Sequence, residues 1–163
     1  MSNTQVSRIT QIGIYLGKHW RLFINELGWK MLIFCAVISA LVSIVLGSGM
    51  FVYTMDTFSG GFALISACIW VGIFNSIQNI CKERAIIKRE HRAGLHISSY
   101  IASHLIFQAG ICLLQAAILL GISSAFLTYP GCAPLFGGVW LEYFITYFLC
   151  IYAADVLGLG ISA

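Results

Sequence analysis

Residues Lys82 to Leu95 read KERAIIKREHRAGL and concentrate seven charged side chains, in a chain of 163 residues that has only nine basic and six acidic ones. On either side stand runs far too apolar for a soluble domain. Upstream, Leu32 to Leu46 reads LIFCAVISALVSIVL without a charge. The composition agrees: 60% hydrophobic, 9% charged, mean hydropathy +0.91, where soluble domains hold about 45–50% apolar and about 25% charged residues. Four segments reach the roughly 20 apolar residues that a helix needs to cross a hydrocarbon core: Met31 to Tyr53, Phe62 to Ile80, Ile97 to Phe126, and Val139 to the end. None alternates with period 2, so helices and not barrel strands are expected. The chain reads as an all-α integral membrane protein.

The basic residues orient it. Arg8, Lys18, Arg21 and Lys30 precede the first span, and Lys82, Arg84, Lys88, Arg89 and Arg92 fill the segment between the second and third. Four crossings put both groups on one side, which the positive-inside rule makes cytoplasmic. The opposite segments, Gly47 to Gly61 and Leu127 to Trp140, carry Asp56 alone. The net charge of +3 is thus a topology signal and not a nucleic-acid footprint. The expected location is a cell membrane, plasma or bacterial inner, crossed several times with the N-terminus cytoplasmic.

Residues 1–30 differ from the rest. Ile9, Ile12, Leu16, Trp20, Phe23 and Leu27 draw one apolar stripe on a helix, with Arg8, Gln11, Lys18, Arg21 and Asn25 on the other side. A basic amphipathic helix with tryptophan is suited to lying in the membrane interface; packing on a cytoplasmic domain is the alternative. Gly28 is expected to turn the chain into the bilayer, with Trp29 and Lys30 at headgroup level.

Glu83 and Arg84, then Arg89 and Glu90, then Gly94, and Tyr100 at the opening of the third span resemble the signature of type 2 ATP-binding-cassette permeases of the white/pigment-transporter (G) subfamily and their bacterial relatives. The order of parts is similar too: an amphipathic connecting helix, a first span, a second span ending in polar residues, this loop, and a third span carrying Gln115. Departures stand at Ala85, Ile87, His96, His104 and Gly110. The resemblance implies an N-terminal interfacial connecting helix (1–30) followed by the four transmembrane helices of a type 2 ABC exporter half (31–163), with a cytoplasmic coupling loop at 82–96. It also implies a separate ABC ATPase domain or subunit, which would hold the ATP and magnesium, and a homo- or heterodimer with another permease half. Six spans are usual there, so the chain looks cut short inside its fourth. It has no G-x-x-x-x-G-K-[ST] phosphate loop of its own, so neither ATPase activity nor a cofactor is expected in it.

If the loop is helical, Glu83 and Glu90 lie seven residues apart, and Arg84 lies four and five from Lys88 and Arg89, so both signs are offered to a partner instead of being neutralised within the helix. The resemblance makes Glu83, Arg84, Arg89, Glu90 and Gly94 coupling residues; the alternative is a positive-inside anchor whose carboxylates pair loosely in water. Within the spans, Asn75, Gln78 and Asn79 share one face and His104, Gln108 and Gln115 another, either lining a translocation path or joining helices by hydrogen bonds. Asp155, with Gly158 and Ser162, forms a small-residue face turned from lipid. A partner cation on a helix that this chain lacks is the favoured reading, with a protonated packing group or a substrate contact as alternatives.

Other chemistry is not legible. Cys35, Cys68, Cys112 and Cys150 lie in spans, Cys81 and Cys132 at borders and loops, and no C-x-x-C occurs. His91 and His96, five apart, point to different helix faces, which argues against a metal site. Neither a G-x-S-x-G nor an H-E-x-x-H motif is present. Phe74, Phe107, Tyr143, Phe144, Tyr147 and Phe148 suit a hydrophobic or amphipathic cargo. The competing reading is a non-transporting four-helix assembly or regulatory subunit that binds a cytoplasmic partner through the same loop.

Overall fold

The computed structural model describes residues 8–25, 28–92, 97–131 and 137–162, and five helices account for nearly all of them. These are α1 (Arg8–Asn25), α2 (Trp29–Leu46), α3 (Thr54–Arg92), α4 (Ile97–Phe126) and α5 (Val139–Ser162). Four stretches are long and apolar enough to cross a membrane: Trp29–Leu46, Thr54–Ser76, Tyr100–Phe126 and Val139–Ile161. The protein is an all-α integral membrane protein, as its composition demands. The last two spans fall where the sequence puts them; the first two do not.

The first span stops at Leu46, not Tyr53, because Gly47 adopts φ +68° and breaks the helix; a side chain there would be strained. The second helix begins at Thr54, eight residues before Phe62. Gly60 and Gly61, which the sequence places in the outer segment from Gly47 to Gly61, lie inside α3. Gly60 is instead a packing position: a Cβ there would come 2.6 Å from the Met50 side chain, which the 47–53 turn folds back over α3. Met50 is buried with Leu64 and Leu127 in a small cluster at this end.

The larger correction is at the other end of α3. The segment expected as a loop from Lys82 is helical through Arg92 and continuous with the span. Lys, Glu, Arg and Ala are strong helix formers and no glycine or proline interrupts them before Gly94. From Lys82 eleven residues continue to Arg92, about 16 Å of helix at 1.5 Å per residue.

The spanning helices pack as a ring in the order α2, α3, α5, α4, and α1 lies against α4. Their shared core uses small or slender side chains, Cys35, Cys68, Val71, Cys112, Ala116 and Ile151, with Leu119 and Tyr147, as membrane helices do where backbones must approach closely. The tightest approach joins α3 to α5. A Cβ at Gly72 would collide with the Ile151 carbonyl oxygen and lie 2.8 Å from the Ala154 Cβ, and one at Gly158 would lie 2.7 Å from the Ser76 Cβ. Large apolar side chains such as Val45, Phe58 and Ile161 point outward, each more than 80% exposed, the reverse of a soluble fold.

Candidate functional site

Four of the polar residues singled out inside the spans meet in one buried seam. Asn75 and Gln115 exchange amide hydrogen bonds: Asn75 Nδ2 donates to Gln115 Oε1 at 2.7 Å, and Gln115 Nε2 donates to Asn75 Oδ1 at 2.9 Å. Two helical turns towards the basic end, Gln108 Nε2 donates to Asp155 Oδ1 at 3.0 Å. Ser76 closes the triangle by donating to the Asp155 backbone carbonyl at 2.7 Å. The seam therefore ties α3 to α4, α4 to α5 and α3 to α5 through side chains that are at most 1% exposed. The smaller partners make this possible, since Gly72 and Gly158 let α5 come close enough for Ser76 to reach a main-chain oxygen.

Within the chain the Gln108 amide donates to one Asp155 oxygen. The second carboxylate oxygen, Oδ2, is buried without a hydrogen-bond partner among the described residues. The small-residue face expected around it is real for Asp155 and Gly158, and it is occupied by α3. The helix α2 joins α4 more lightly: Ser39 Oγ donates to the Leu119 carbonyl at 3.3 Å and Cys35 Sγ to that of Gln115 at 3.6 Å.

His104 does not join this seam. It sits one turn nearer the basic end, in a stack of rings that fixes α1 on α4. Tyr15 meets Tyr100 edge-on at 5.7 Å between centroids, His19 lies 5.2 Å from His104, and Phe23 lies 5.9 Å from Phe107. Successive turns of α1 thus follow successive turns of α4 in the same direction. The face that α1 buries is rotated from the apolar stripe of the sequence. His19, outside that stripe, is 4% exposed, whereas the stripe residue Trp20 is 55% exposed. Gly28, between α1 and α2, has ordinary helical dihedrals, φ −57° and ψ −22°, and its lack of a side chain makes room for the Phe23 ring.

Glu83, Arg84, Arg89 and Glu90 occupy the part of α3 that runs past the span. Their side chains, those of Gln78 and Asn79, and the whole of Gly94 lie outside the described residues. The backbone shows that Glu83 and Glu90, two turns apart, are in register on one helix.

At the far end, a second polar contact went unread in the sequence. Ser123 Oγ and Tyr129 OH are 2.7 Å apart, and Tyr129 OH and Tyr147 OH 3.2 Å. The Phe51, Trp140 and Tyr143 rings surround Tyr129, pinning the segment after α4 onto α5. Spacing could not find this, because Tyr129 lies outside any periodic element.

A family model described as ABC-2 type transporter matches residues 10–163, which is nearly the whole chain. The chain belongs to the ABC-2 type transporter family. No curated protein and no solved structure matches it. The matched region takes in α1, the four spans and both buried contacts, so the resemblance read from the 82–96 segment extends over the fold. This is the permease component of an ABC transporter, a multi-pass membrane protein of a family that works with an ATPase partner and as dimers. In such a transporter the permease is typically not the catalytic part. Its buried amides join helices to one another.

Proposed function

We propose that this permease exports a hydrophobic or amphipathic substrate, with ATP and magnesium held by a separate ATPase that docks at the 82–96 segment on the cytoplasmic side. The observation that carries the reading is the continuity of α3 from Thr54 to Arg92. A force on its basic end is borne by the same rod that carries Gly72, Asn75 and Ser76, and these are fastened to α4 and α5. ATPase closure against Glu83 and Glu90 would therefore tilt α3 and draw the other two helices with it. Charges at such an interface set register, and truncating one that docking buries costs about 2–5 kcal/mol. Arg84, Arg89 and Gly94 belong to the same docking surface, and a second permease half would complete the path. The exposed Trp20 and Ile24, beside Lys18 and Arg21, suit α1 to membrane lipid at the headgroup level.

The test is charge reversal at both Glu83 and Glu90 in the complex purified from native membranes with its ATPase. Expression and membrane insertion should persist while stimulation of ATP turnover by lipid or drug is lost. Unchanged stimulation would remove the coupling assignment.

A further inference from the structure

The corner between α1 and α2 gathers two cations and two indoles that neither helix packing nor the coupling reading requires. Trp20 and Arg21 are exposed near the end of α1, and Trp29 and Lys30 at the start of α2; the two indoles are 55% and 48% exposed. The chain between them is short and folded on itself. The Gly28 N–H donates to the Phe23 carbonyl at 2.8 Å, and the Met31 N–H to the Gly28 carbonyl at 3.0 Å. Arg21 stands two residues before the first of these bonds and Lys30 two residues after it, so one small backbone fold holds both cations.

The surroundings favour an anion that carries an apolar tail. Residues 1–30 have four basic side chains and one acidic one, Glu26, which lies outside the described residues. The neighbouring α4 has no charged residue from Ile97 to Phe126, and Lys30 is the only charge in α2. Below Lys30, α2 buries Cys35, Ser39 and Ser43 against the bundle. On its opposite side Ile33, Val37 and Leu41, 49%, 50% and 60% exposed, are spaced by four and continue the face of Lys30 into the membrane. Each polar group suits a headgroup at the top of this apolar lane. Indoles settle at headgroup depth, lysine reaches the phosphate layer over an apolar stem, and a guanidinium offers paired donors to a phosphate.

We propose that the α1–α2 corner is a binding site for an anionic phospholipid, whose phosphate is held by Arg21 and Lys30 beside Trp20 and Trp29 while an acyl chain lies along Ile33, Val37 and Leu41. Basic side chains at a membrane surface attract anionic headgroups additively, and the attraction fades beyond a Debye length, so both cations must stand close to the same headgroup layer. A soluble phosphate meets the two cations but gains nothing from the lane on α2, which only a lipid fills. The lipid site rests on the headgroup-level placement of α1 and stands whether or not the 82–96 segment docks an ATPase.

The test uses the full chain in nanodiscs of mixed phosphatidylglycerol and phosphatidylcholine, with Trp20→Phe, Trp70→Phe and Trp140→Phe so that Trp29 is the one tryptophan left of four. Bromine atoms, placed on the acyl chain near the headgroup, are carried by phosphatidylglycerol alone in one set and by phosphatidylcholine alone in the other. At matched mole fractions the fluorescence of Trp29 should be quenched at least about threefold more strongly by the brominated phosphatidylglycerol. In Arg21→Gln with Lys30→Gln the two lipids should quench alike, and Arg21→Lys with Lys30→Arg should keep the preference. Loss of the preference in both double variants would trace it to the shape of the corner and overturn the assignment to these charges. Equal quenching in the parent chain, or a preference that survives the glutamine pair, would overturn the anionic site and leave α1 at headgroup level. No quenching by either lipid would remove that placement and the site together. A preference erased by inorganic phosphate at constant ionic strength would give the cations to a soluble anion and overturn the lipid.

Discussion

Gly72 and Gly110 show how far the same residue can differ in role within one membrane protein. At Gly72 an added Cβ would run into the Ile151 carbonyl, a backbone atom that cannot swing aside; at Gly110 nothing lies within 4 Å. Gly72→Ala should therefore push α3 from α5 and lower stability by about 1–3 kcal/mol. Gly110→Ala should be neutral or raise stability by up to about 1 kcal/mol through helix propensity. Thermal unfolding midpoints in detergent would separate the two, and equal shifts would contradict the packing described. The amide pair invites a second test at this scale. Removing Asn75 or Gln115 alone leaves a buried amide without its partner, whereas Asn75→Leu with Gln115→Leu removes both. The double variant should lose less than the sum of the single ones, by about 0.6–1.7 kcal/mol in a double-mutant cycle. These residues were legible in the sequence because a polar side chain in an apolar run is costly and needs a reason. Their pairing was not legible, since it depends on which helices are neighbours. His19 was hidden for a different cause: among Lys18 and Arg21 it reads as one more polar position, and only the rings of α4 make it a buried one.

Element boundaries were read best where composition changes abruptly. The ends of α4 and the start of α5 follow from the loss of apolar residues, while Gly60 and Gly61 misled because glycine in a membrane helix more often marks close packing than a turn. The charged segment misled in the opposite sense. Its polarity suggested a loop, yet its residues are helix formers and simply continue α3 beyond the hydrocarbon. This continuity makes a prediction about phase. One alanine inserted after Cys81 rotates the following charges by about 100° and advances them by about 1.5 Å, whereas four insertions bring them within about 40° of their original direction. If α3 acts as a rigid lever, one insertion should abolish ATPase stimulation and four should restore a measurable part of it. Equal loss in both would favour translation over rotation as the damaging change, and no loss in either would mean that the segment is not a lever.

At the scale of the whole molecule, the arrangement of charge is simpler than that of any helix. Four crossings bring the start of α2, the extension of α3 and the start of α4 to one end, together with α1, and leave 47–53 and the segment after Phe126 at the other. All nine basic residues belong to the first end, and between Met31 and Lys82 the chain has no lysine or arginine at all. A lysine or arginine costs about 2.5–3.5 kcal/mol at the centre of an inserted helix, and those in short loops are retained on the cytoplasmic side during insertion. The two basic groups are separated in sequence by two spans, so they act on the same orientation independently. A chain inserted the other way would have to carry both across. The N-terminus and the α3 extension are therefore expected inside the cell and the 47–53 turn outside. Labelling with a membrane-impermeant maleimide in intact cells would check this, in a background where Cys132 is serine so that the far segment adds no signal of its own. Ser48→Cys should react at once and Lys88→Cys only after permeabilisation. The reverse pattern would place the charged rod outside, where no ATP is available, and would remove the docking surface together with the orientation.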